Sequence, residues 1–102
     1  MSREVVEGVQ RQGEEEQIAY KIDVSNWGDN PTNVSAKAYA LPYCSADITE
    51  SVMPTNTPSV SGNVITLSPL KGLIAGRMYR IEVKFKIGSN VLECWFKVAC
   101  EQ

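Results

Sequence analysis

The chain has 102 residues, 43% of them hydrophobic and 22% charged, with a formal net charge of −2 and no histidine. That length suits one domain, burying about 60–65% of the surface its unfolded form exposes. No apolar run approaches the ~20 residues of a membrane span. The opening Met1-Ser2-Arg3-Glu4-Val5-Val6-Glu7 lacks the apolar centre of a signal peptide, so a chain made and kept in the cytoplasm is expected.

Residues 1–13 are polar with scattered Val5, Val6 and Val9, the composition of an edge strand or of an arm that orders on a partner. The folded domain is expected over 14–102. Ile18, Tyr20, Ile22 and Val24 alternate with Ala19, Lys21, Asp23 and Ser25, which predicts a strand, and Asn26 to Pro31 follows as a loop of turn formers. Val34 to Leu41 predicts a third strand, with Val34, Ala36, Ala38 and Ala40 on one face, and Pro42 ends it. Asp47 to Met53 reads as a weaker edge strand with Ile48 and Val52 inward.

Val60-Ser61-Gly62-Asn63-Val64 reads as a tight hairpin leading into Ile65-Thr66-Leu67, and Ser68 to Gly76 crosses from one sheet to the other. The strongest pattern comes last. Tyr79, Ile81, Val83, Phe85 and Ile87 share one face of a strand, and Arg80, Glu82, Lys84 and Lys86 share the other. A three-residue turn, Gly88-Ser89-Asn90, leads to a return strand with Leu92, Cys94, Phe96 and Val98 inward. About seven short strands with frequent turn signals and no sustained helical period indicate an all-β antiparallel sandwich.

Chemistry is thinly represented. Without histidine, a nucleophile motif, clustered inward carboxylates or a phosphate-cradling glycine loop, the chain is not expected to be an enzyme, and no cofactor is implied. Cys44, Cys94 and Cys100 match no zinc spacing. Cys94 falls in the inner register. Cys44 in a loop and Cys100 near a frayed end are candidates for an intermolecular disulfide, with free thiols as the alternative. Calcium at Asp23, Asp29 or Asp47 is disfavoured by their scatter, so no metal is expected.

Trp95 shares its outward face with Glu93 and Lys97, beside Arg80 and Lys84 on the neighbouring strand. It is either a contact anchor or an aromatic lying over lysine stems. Trp27 is either a loop-tip anchor or a plug at one end of the sandwich. Glu82 and Glu93 interrupt the basic row of Arg80, Lys84, Lys86 and Lys97, which argues against nucleic acid as a partner. Residues 1–17 hold two arginines against five glutamates, and residues 71–102 hold six cations against three glutamates. An acidic front and a basic back favour head-to-tail contact between copies or with unlike partners.

Leu73-x-Ala75-Gly76-x-x-Tyr79-x-Ile81-x-Val83 resembles the crossing before the penultimate strand of fibronectin type III and immunoglobulin-like domains. The resemblance implies that Tyr79, following Gly76, is the tyrosine corner, its hydroxyl bonded to backbone a few residues upstream. Ile81 stands where the second sheet-bridging cysteine of antibody domains would be, so no inter-sheet disulfide is expected. Three longer phrases, Tyr20-Lys21-Ile22-Asp23-Val24-Ser25-Asn26-Trp27-Gly28, Val60 to Leu67 and Ala75 to Phe85, resemble small proteins of tailed bacteriophages and prophages encoded among virion structural genes. This implies a non-enzymatic, multi-copy component of the virion, made in the host cytoplasm. It would bind capsid, neck or tail proteins, in capsid decoration or the head–tail connector region. The alternative is a free-standing adhesive or carbohydrate-binding module using Trp27 and Tyr43.

Overall fold

The computed structural model describes residues 2–41 and 47–101, with backbone alone for 2–8. Seven strands and one short helix follow in the order β1 (Ser2–Gly13), β2 (Lys21–Asp23), β3 (Thr32–Ala40), α1 (Thr49–Val52), β4 (Ser59–Ser61), β5 (Val64–Thr66), β6 (Met78–Ile87) and β7 (Asn90–Glu101). They form a four-stranded sheet, β1-β7-β6-β3, and a three-stranded sheet, β2-β5-β4. That partition, with first, third, sixth and seventh strands opposite second, fourth and fifth, is an immunoglobulin-like sandwich. One pairing departs from the antiparallel expectation. β1 runs parallel to β7, because the two ends of the chain meet in one sheet without a hairpin between them.

The alternation read from sequence becomes the two walls of the core. Tyr79, Ile81, Val83 and Phe85 of β6 and Cys94, Phe96 and Val98 of β7 are buried, and Ile22, Val24, Ile65 and Leu67 face them. The β6–β7 turn is tighter than expected. Ile87 pairs with Asn90, so the loop has two residues, and Gly88 leads it at φ +60°. A leading glycine of positive φ suits the two-residue turn whose twist matches the strands it joins. The β2 ladder is shorter than the Ile18–Val24 pattern, with Ile18 joined to Leu70 by a separate bridge.

The stretch from Asp47 to Met53 is not a strand. Asp47 bridges to Tyr39, and Thr49–Val52 then makes a single helical turn packed on β3. The cause is local side-chain chemistry. The Asp47 carboxylate accepts from the Thr49 N–H at 3.0 Å and from the Thr49 hydroxyl, a turn-forming arrangement that takes the backbone off an extended path. The segment still turns Val52 inward. It also covers a sheet edge. Ala38 donates its N–H to Thr49 Oγ1 at 2.9 Å and accepts from the Ile48 N–H at 2.9 Å. The Asn56 amide donates to the Ala36 carbonyl at 3.0 Å. The outer edge of β3 is thereby covered at Ala36 and Ala38.

The tyrosine corner is present. The Tyr79 hydroxyl accepts from the Ile74 N–H at 2.9 Å, five residues upstream. Gly76, at φ +85°, reverses the chain between them and donates its N–H to the Cys100 carbonyl at 3.0 Å. No disulfide joins the sheets among the described residues. Ile81 is fully buried, and Cys94 and Cys100 are free thiols.

Candidate functional site

The outer face of the four-stranded sheet carries the densest group of candidate contact residues. Residues paired across strands point the same way, so register arranges this face in rows. Tyr39, Arg80, Lys97 and Val9 form one row; Lys37, Glu82 and Trp95 form the next; Ser35, Lys84 and Glu93 form a third. Lys37 and Lys84 each lie directly opposite a carboxylate, which breaks the basic row into a checkerboard.

Trp95 is the centre. It is half-buried, with the Arg80 guanidinium 4.2 Å and the Lys97 ammonium 5.7 Å from its ring centroid. Arg80 and Lys97 are themselves opposite one another, an arrangement that repels. The electron-rich indole face offsets that repulsion, by roughly 0.5–1 kcal/mol per cation at a partly exposed site. Arg80 Nε also sits 2.9 Å from Glu82 Oε2. The two cations restrict the ring before any contact forms, which lowers the entropic cost of one.

Beside it runs a shallow groove lined by Leu41, Gly76, Arg77, Met78, Arg80, Trp95 and Lys97. The β6 and β7 members follow from alternation. Arg77 and Leu41 do not, because the crossing and the end of β3 bring them there.

The remaining candidates separate. Trp27 lies at the end of the sandwich, stacked on Phe85 with ring centroids 5.9 Å apart and 29° between planes, and packed against the core. Of its two readings the structure matches the plug, not the loop-tip anchor. Tyr43 and Cys44 lie outside the described residues. Cys100 is not at a frayed end. It is 4% exposed, in a strand that continues to Glu101, and an intermolecular bond there would require β7 to peel away. Asp23, Asp29 and Asp47 form no metal-holding cluster among the described residues. Asp23 accepts from the Ser25 N–H, which lowers its pKa, Asp29 from the Asn63 amide, and Asp47 from the Thr49 hydroxyl and N–H, which lower its pKa.

Burial pushes the Cys94 thiol up to about 12. The Cys100 thiol is raised by burial and by Glu14 and Glu101. Thiolate is the reactive form. Both should therefore resist alkylation at pH 8 in the folded protein and react fully in denaturant, as peptide mass spectrometry would record. Fast labelling of Cys94 without denaturant would show that the inner face of β7 opens.

Sequence reasoning missed Gln12, a buried polar side chain at 1% exposure. Its amide nitrogen donates to the Leu70 carbonyl at 2.6 Å and the Glu16 carbonyl at 3.0 Å, and its oxygen accepts from the Tyr20 hydroxyl at 2.9 Å. It fastens β1 to the segments before β2 and after β5, with the Tyr20 and Phe96 ring centroids 5.1 Å apart.

Compared with known proteins, the chain matches no family model, no curated protein and no solved structure.

Proposed function

We propose that this chain is a non-enzymatic structural subunit of a tailed-phage virion, docking on other virion proteins through the outer face of its four-stranded sheet. The phage assignment draws on the sequence phrases from Tyr20 to Gly28, Val60 to Leu67 and Ala75 to Phe85. The docking role draws on one observation above the rest, the indole of Trp95 held against Arg80 and Lys97 on an outward face. Tryptophan and arginine are the residues most often found to dominate binding energy, and here they are stacked before any partner arrives. β1 adds a second contact element, since only one of its edges is paired within the sheet. A sugar-binding reading gains nothing from Trp27, whose ring is packed on Phe85.

Mass spectrometry of purified particles should find the chain in several copies. Trp95→Glu should abolish its incorporation while moving the Tm by no more than about 8 °C, the shift that ~1 kcal/mol produces in a chain of this size. Normal incorporation of that variant would remove Trp95 from the interface, and absence of the chain from particles would end the virion reading.

A further inference from the structure

We propose that two copies of this chain pair about a two-fold axis over the end of β7, each copy's Glu14–Glu15 turn seated in the basic groove beside Trp95 of the other. The inference rests on the outer face being a docking surface and names its occupant.

The groove joins three cations, Arg77, Arg80 and Lys97, to the apolar surfaces of Leu41, Met78 and Trp95, with no carboxylate among the described residues that line it. Such a surface selects a short acidic segment. The chain carries one. Glu14, Glu15 and Glu16 are all exposed. The turn is closed by the Glu16 N–H donating to the Gly13 carbonyl at 3.1 Å, and the Glu16 carboxylate accepts from the Gly13 N–H at 2.6 Å. Glu16 is therefore spent inside the turn, leaving Glu14 and Glu15 at its tip.

Placement decides the symmetry. Glu14 donates its N–H to the Glu101 carbonyl at 2.9 Å, and Gly76 donates to the Cys100 carbonyl at 3.0 Å. The acidic turn and the start of the basic groove thus flank one strand end instead of occupying opposite poles. The acidic front and basic back of the sequence thus lie side by side at this end of the fold. Complementary patches that adjoin in one molecule become reciprocal when a second copy is turned about an axis between them, and the assembly closes at two. A contact between opposite poles would instead give a larger ring or an open filament.

Sedimentation of the full chain from about 1 to about 500 µM at about 50 mM salt should show a monomer–dimer equilibrium, weakened at least about tenfold at ~500 mM salt as screening shortens. Arg77→Glu and Glu15→Lys, both at exposed positions, should each remain monomeric with unchanged circular dichroism. An equimolar mixture of the two should restore the dimer, because both contacts then pair opposite charges. A wild-type chain that stays monomeric, a dimer indifferent to either substitution, no rescue on mixing, or a ladder of larger species would each overturn the pairing. If pairing fails while Trp95→Glu is still excluded from particles, the functional reading stands without it.

Discussion

Replacing Tyr79 by alanine is expected to lower the unfolding free energy by roughly 3–5 kcal/mol, whereas phenylalanine at the same place should cost about 1–2 kcal/mol. The ring is 2% exposed in the inner wall of β6, so alanine leaves a cavity in the core cluster. Phenylalanine keeps the packing and removes one acceptor, leaving the Ile74 N–H without its partner. A domain of this size is held by about 5–15 kcal/mol in total, so the alanine variant should approach the threshold of folding at 37 °C. Urea denaturation of both variants separates the two contributions. Equal losses would mean that the hydroxyl fixes the crossing and the ring does not.

The second large effect is expected at Gln12, through Gln12→Glu, which is nearly isosteric. The native amide nitrogen faces two backbone carbonyls, those of Leu70 and Glu16. An ionised carboxylate would present an acceptor to both and bury a charge with only the Tyr20 hydroxyl to donate to it and no countercharge, at a cost of about 3–5 kcal/mol. Protonation relieves this, so the introduced group would have a raised pKa in the folded state. A raised acid pKa means that the folded chain binds more protons than the unfolded one between the two pKa values. Stability relative to wild type should therefore be best below about pH 4.3, the ordinary glutamate value, and fall with rising pH until the folded pKa is passed. Gln12→Leu should instead lose about 2–3 kcal/mol at every pH, from the carbonyls left unpaired. Denaturation curves at acid and neutral pH distinguish the two. A Gln12→Glu loss that does not change with pH would mean that water reaches the site.

These two residues mark the boundary of what the sequence made readable. Tyr79 was recognisable because its neighbours alternate strictly, and because a glycine and a leucine stand at fixed short distances before it. Gln12 was not, since a glutamine in a polar N-terminal stretch carries no period. Its three partners come from residues 16, 20 and 70, and chain folding alone brings the last of them near. The helical turn at Thr49–Val52 was missed for a related reason. Four residues are far too few to form a helix unaided, so no periodicity announces it. Its existence depends on Asp47 binding Thr49 and on the open edge of β3 accepting the segment. On the outer face of the four-stranded sheet, Trp95, Arg80 and Lys97 could be grouped in advance, because alternation puts them outward on adjacent strands. Arg77 and Leu41 joined them only in the folded molecule.

Which way each side chain of β3, β6 and β7 faces was settled by sequence alone. A strand sends neighbours to opposite sides whatever else the chain does, and burying the apolar side admits one choice. Which strands stand next to one another was decided by the tertiary structure. The parallel contact of β1 with β7 and the bond from Glu14 to Glu101 join residues 87 to 91 positions apart, as 101 − 14 and 93 − 2 give. Contacts at that separation are chosen by how all the layers pack together, and no local pattern records the outcome.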